Sequence, residues 1–141
     1  MSVRSASAEW EGNLPQGKGT MRLGSGAFAG NYSFSSRFQE GQGTNPEELI
    51  GAAHAGCFSM ALAHGLAQSG HTPNRIATTA KVHLEKAGEG FKITTIELDT
   101  EGEVPGIDPA MFQTFAEDAK RNCPVSQLLT GAEIKLRAKL V

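Results

Sequence analysis

The chain carries two cysteines, Cys57 and Cys123, 66 positions apart, and neither belongs to a Cys-x-x-Cys pair. With no second ligand pair, and with His64, His71 and His83 scattered, a structural metal site has little support. A reducing cytosol would hold a purely structural disulfide open. If the two thiols act together, redox chemistry is their natural setting. Taken singly, each has a plainer reading, because a free cysteine packs well as a small apolar group.

Cys57 lies in "NPEELIGAAHAGCFSMALAHGLA", Asn45 to Ala67, which reads as a helix rich in alanine and glycine. Apolar burial raises a thiol's pKa, and about three turns past a helix start the dipole helps little, so a working Cys57 needs a cation. His54, three residues earlier on the same face, would suit a Cys–His pair. Arg37, in "SSRFQEGQGTNPEE" just before the capping segment, could fold back. Arginine is always charged and makes two-point contacts, and Glu47 is the nearest carboxylate able to orient it. Cys123, in "RNCPVSQLL", sits where one helix breaks and a short one begins; exposed backbone N–H groups there stabilise a thiolate, as a resolving cysteine needs. Each residue also has a structural reading. Cys57 is then a buried small hydrophobe, Cys123 a helix-break residue, Arg37 a solvated strand-end charge, His54 a packing histidine and Glu47 a capping residue.

The elements that would position these groups follow from periodicity and turn chemistry. "SASAEWEG", "GKGTMRLG" and "NYSFSSRF" alternate as three strands separated by turns. "GQGTN" then opens the long helix, with Thr44 or Asn45 as cap, Pro46 in the first turn and Glu47 or Glu48 completing a capping box, and Gly70 ends it. A hairpin follows: Ala80, Val82 and Leu84 share one strand face, and "FKITTIELDTEG" is the partner, with a bulge expected at Thr94 and Thr95. Asp108 and Pro109 open a second helix with Met111, Phe112, Phe115 and Ala119 at helical spacing; a short piece "PVSQLL" stops at Gly131. "AEIKLRAKL" closes the chain as a strand. The order βββ-α-ββ-α-α-β is an α+β fold.

At 141 residues the chain fits a single domain, residues 1–141, able to bury about two thirds of its unfolded surface. A net charge of −2 gives no pull toward polyanions, so nucleic acid is not an expected partner. "MSVRSASAEW" lacks the apolar run of a secretory signal, and His54, Gly56, His64 and Gly65 interrupt the most apolar window before it reaches spanning length. The protein reads as cytoplasmic, with no membrane association. The Cys57 helix is apolar or small nearly all round, from Ala52 to Ala63. One domain can cover one face of it, and the other face calls for a second subunit, which predicts a homodimer.

"RFQEGQGTNPEELIGAAHAGCFSMAL" together with "CPVSQLL" resembles the osmotically inducible protein C (OsmC) branch of the OsmC/Ohr peroxidases, Ohr being the organic hydroperoxide resistance branch. The likeness runs from "AEWEGNLPQGKGT" through "VPGID" to the last strand. It implies an α+β intertwined homodimer with two long central helices, and reduction of hydroperoxides by cysteine without metal or flavin. By that resemblance Cys57 is the peroxidatic cysteine, Cys123 the resolving cysteine, Arg37 the activating arginine and Glu47 the carboxylate that holds it; His54 has no comparable role. Cys57 would become a sulfenic acid, Cys123 would condense with it, and an external dithiol, a dihydrolipoyl group in this family, would reduce the disulfide. A small apolar lining around Cys57 favours organic hydroperoxides over hydrogen peroxide.

Two other classes compete with that reading. One is a dimeric binding protein whose thiols are incidental, and the other a general disulfide oxidoreductase, against which the missing Cys-x-x-Cys motif counts. One geometric expectation concerns Glu47 and Cys57, ten residues apart on one helix and so about 15 Å apart along its axis. If both serve the thiol, an antiparallel helix pair in the dimer would set Arg37 and Glu47 of one subunit against Cys57 of the other.

Overall fold

Serine chemistry ends the first run of strands earlier than alternation predicts. In the computed structural model, which describes residues Met1–Val141, strands β1 (Ala6–Glu11), β2 (Lys18–Leu23) and β3 (Ala29–Tyr32) form an antiparallel sheet in that order. The expected strand "NYSFSSRF" stops at Tyr32, and Phe34–Phe38 is a short helix, α1. Ser33 and Ser36 bond each other's backbone N–H at 3.1 and 2.9 Å, a capping box that offers the chain a helical turn in place of further pairing. Arg37 is therefore on a helix and not at a strand end. The chain then returns along β3: Thr44 N–H donates to Asn31 O at 2.8 Å, and Tyr32 and Thr44 form an isolated parallel bridge.

Helix α2 (Pro46–Gln68) starts as expected, with Asn45 Oδ1 accepting the Glu48 N–H at 2.7 Å. Glu48 bonds the Thr44 hydroxyl, which leaves Glu47 free for another partner. The helix ends at Gly70 with φ +85°, His71 N–H donating to Leu66 O and Gly70 N–H to Ala67 O. This is a Schellman stop that a Cβ would oppose.

The chain packs as two compact units, Met1–Leu49 and Ile50–Val141. In the second, β4 (Arg75–Ala87) and β5 (Gly90–Glu103) form the antiparallel hairpin, and β6 (Glu133–Leu140) adds to β5 in parallel. The register shifts between His83 and Leu84, which leaves Thr94 without a partner: the expected bulge. Helices α3 (Pro109–Asn122) and α4 (Pro124–Leu128) make the crossover that a parallel return requires. Asp108 caps α3 through the Met111 N–H, but Met111 is exposed and the inward residues are Phe112, Ala116 and Ala119. Phe112 packs on the sheet so closely that a Cβ on Gly102 would stand 2.3 Å from its ring.

Phe58, Leu62 and Leu66, one turn apart along α2, are fully buried with Ile96 and Leu98 of β5 and Phe112 and Ala116 of α3. The outer sheet face carries Lys81, His83, Asp99, Lys135 and Arg137. α2 is one continuous helix, as expected, but His54, Gly56, His64 and Gly65 do not keep its apolar stretch below spanning length: by length and composition alone it could cross a membrane. Its Phe58–Leu62–Leu66 face is part of the protein core. Its opposite face presents Ala52, Ala53, Gly56 and Met60, the last 76% exposed.

Candidate active site

In the first unit the α1 turn and the returning loop bring Arg37 onto Glu47. The Nε of Arg37 donates to Oε1 and Oε2 of Glu47 at 3.1 and 3.3 Å, and Nη2 donates to Oε1 at 2.8 Å. Glu47 is only 7% exposed, so its charge is removed from water and needs this cation. The contact fixes the plane of the guanidinium and leaves Nη1 free to donate elsewhere. The ring of Phe38 lies 5.3 Å beneath the guanidinium carbon. Beside it, Trp10, Leu14, Tyr32, Phe34 and Phe38 join Arg37 around a 420 Å³ hollow, a mostly apolar recess with one cation on its wall.

In the second unit α2 and the α3–α4 break bring the two cysteines together. Both are free thiols, Cys123 buried and Cys57 partly so, and their sulfurs are 2.8 Å apart. A disulfide at 2.03–2.05 Å needs only about 0.8 Å of further approach. Pro124 sets the break: α3 ends with Cys123 N–H donating to Ala119 O, and α4 restarts with Cys123 at its N-cap. That restart turns the Val125 backbone N–H onto the Cys57 sulfur.

Burial, followed by the hydrogen bond shared with Cys123, pushes the Cys57 thiol up, and the Val125 N–H pulls it partly back. No cation of the Ile50–Val141 unit contributes to the shift. His54 does not supply one. It is fully buried, burial lowers its pKa, and its Nε2 lies 2.7 Å from the Ser126 hydroxyl. The packing reading of His54 is the one that its surroundings support, and a charged Cys–His pair is not formed at neutral pH.

The structure thus pairs Arg37 with Glu47 and Cys57 with Cys123. Sequence reasoning missed the Val125 N–H, the Ser126 hydroxyl and the aromatic recess. Ser126 and Val125 were readable in principle as the first-turn residues after Cys123–Pro124. The recess draws on residues from β1, β3 and α1, and no local pattern joins them.

Comparison with known proteins identifies the family. A family model described as OsmC-like protein matches residues 39–139. Peroxiredoxin OsmC of Escherichia coli is 52% identical over 134 residues, 94% of this chain and 93% of the relative. The organic hydroperoxide resistance protein of Xanthomonas axonopodis pv. citri is 36% identical over 64% of this chain and 63% of its own. Among solved structures, the organic hydroperoxide resistance protein OhrB of Bacillus subtilis superposes with a TM-score of 0.75 at 25% identity, covering 96% of this chain and 98% of that one. An organic hydroperoxide resistance protein OsmC from Legionella pneumophila shares the fold with a TM-score of 0.76 over 99% of both chains. A family model spanning most of the sequence and a relative more than half identical along nearly its whole length place the chain in the OsmC family.

Proposed function

We propose that the chain, acting as one peroxidase domain over residues 1–141, reduces organic hydroperoxides with Cys57 as nucleophile and Cys123 as resolving thiol. The observation that carries this reading is the pair of free thiols 2.8 Å apart at the Pro124 helix break. Relatives named peroxiredoxin and organic hydroperoxide resistance protein support it.

In the first step the Cys57 thiolate attacks the distal peroxide oxygen. The O–O bond breaks, the leaving alkoxide takes a proton to become an alcohol, and Cys57 becomes a sulfenic acid. Cys123 then attacks that sulfur, and water leaves as the disulfide forms. An external dithiol, a dihydrolipoyl group in our reading, reduces the disulfide by two exchanges and is itself oxidised. To Arg37, oriented by Glu47, we assign the positive charge that lowers the Cys57 pKa and holds the peroxide oxygens. The aromatic recess beside Arg37 suits an alkyl group, which favours organic hydroperoxides over hydrogen peroxide.

The exposed small-residue face of α2 is the surface on which we place the homodimer contact. We place the protein in the cytoplasm, a reading supported by the packing of the Phe58–Leu62–Leu66 face of α2 into the core. The direct test is loss of an alkyl hydroperoxide in the presence of a dithiol. Wild-type protein is expected to turn over, and Cys57→Ser to lose activity altogether, since an alcohol is neither ionised nor oxidised under these conditions. Turnover by Cys57→Ser above a few per cent of wild type would remove Cys57 as the nucleophile.

A further inference from the structure

Three contacts tie α2 to the start of α4. Two of them end on the Cys57 sulfur: the 2.8 Å approach of Cys123 and the Val125 N–H. Both must change during turnover, because that sulfur ionises, gains an oxygen and then bonds to another sulfur. The third, between His54 Nε2 and Ser126 Oγ at 2.7 Å, involves no redox atom and can persist throughout.

Otherwise α4 is held at its ends, by the buried Cys123 at its N-cap and by Leu129, which packs against the core at its C-cap. The helix is five residues long, too short to be stable alone, and Ser126 is its one buried residue while Leu128 is 78% exposed. His54 is well suited to be a fixed anchor. It is fully buried one turn before Cys57 on the 23-residue α2, and its Nδ1 has no partner. A vacant acceptor costs less than a stranded N–H, so Nε2 carries the proton and donates to Ser126.

We propose that His54 is a positioning residue for disulfide formation: through Ser126 it keeps Cys123 and the Val125 N–H against the Cys57 sulfur while that sulfur passes from thiolate to sulfenic acid. This rests on the two-cysteine peroxidase reading above.

The test separates the two chemical steps. A single equivalent of tert-butyl hydroperoxide is added to wild type, Ser126→Ala, His54→Phe and His54→Gln; sulfenic acid formation at Cys57 is followed by rapid mixing, and disulfide and sulfinic acid by mass spectrometry. In Ser126→Ala and His54→Phe, disulfide formation is expected to slow by about tenfold, the order set by losing one buried hydrogen bond, and sulfinic acid to accumulate when peroxide is in excess. Sulfenic acid formation should slow much less. His54→Gln, whose side-chain amide can still donate to Ser126, should recover the disulfide step. Wild-type disulfide rates in Ser126→Ala would overturn the proposal and leave the peroxidase reading intact. So would equal slowing of both steps, the mark of general loosening. A wild-type protein that forms no Cys57 sulfenic acid would instead overturn the reading beneath it.

Discussion

The sulfur of Cys57 lies 2.8 Å from that of Cys123, yet the two come from elements 66 residues apart and both are free thiols. With so short a gap, one equivalent of hydroperoxide is expected to convert the pair to an intramolecular disulfide, detected as a two-proton mass loss and a Cys57–Cys123 cross-linked peptide. Cys123→Ser should still complete a first turnover and then stop, with Cys57 held as sulfenic acid or over-oxidised. Absence of the cross-linked peptide would break the two-cysteine scheme.

Arg37 binds Glu47 through Nε and Nη2 together, a contact that needs a planar fork. Lysine keeps the charge but not the geometry, so Arg37→Lys is expected to lose about ten- to a hundredfold in the rate of Cys57 oxidation. Unchanged rates in that variant would mean that a point charge is sufficient and that the Glu47 contact serves only the fold.

Within its own unit the Cys57 thiol is pushed above its ordinary pKa by burial and by Cys123. The reactive form is the anion, so a raised pKa lowers activity at neutral pH, and reactivity then rises about tenfold per pH unit until the thiol has titrated. Arg37→Ala should show that steep alkaline climb in iodoacetamide labelling of Cys57, with wild type already levelling at lower pH. Superimposable profiles would show that Arg37 does not act on the thiol.

Much of this arrangement is legible in the chain because local chemistry specifies it. Asp108 and Pro109 open α3, Gly70 closes α2, and Pro124 forces the break that sets Cys123 at a helix start. The Thr94 bulge is visible as a slip in alternation. Legibility fails where two local rules compete. "NYSFSSRF" has strand alternation and also two serines three apart, and the serine capping box prevails. It fails again where a contact spans the chain: His54 and Ser126 are 72 residues apart, and no periodicity links a histidine on one helix to a hydroxyl on another. The roles proposed for the pairs Arg37–Glu47 and Cys57–Cys123 came through family resemblance, since residue types alone left their structural readings open.

The continuity of α2 leads to the last prediction. Glu47 and Cys57 are ten residues apart on one unbroken helix, so their backbones are separated by about 15 Å along its axis and their directions differ by about 80°. Glu47 also holds Arg37, which ties that cation to the beginning of the helix. If the pair nonetheless serves the thiol, an antiparallel packing of two α2 helices would bring the start of one beside the middle of the other, and the exposed Ala52, Ala53, Gly56 and Met60 offer a face small enough for close approach. Our reading therefore assigns Arg37 and Glu47 of one subunit to Cys57 of its partner. Cys57→Ser and Arg37→Ala, each inactive alone, are mixed under conditions that exchange subunits. A heterodimer then contains one site with both functional residues, and activity is expected to return to about a quarter of wild type: random exchange makes half the dimers mixed, with one of two sites restored. No recovery, with heterodimers demonstrated by mass, would assign all four residues to one chain and require the arginine loop to reach along its own helix.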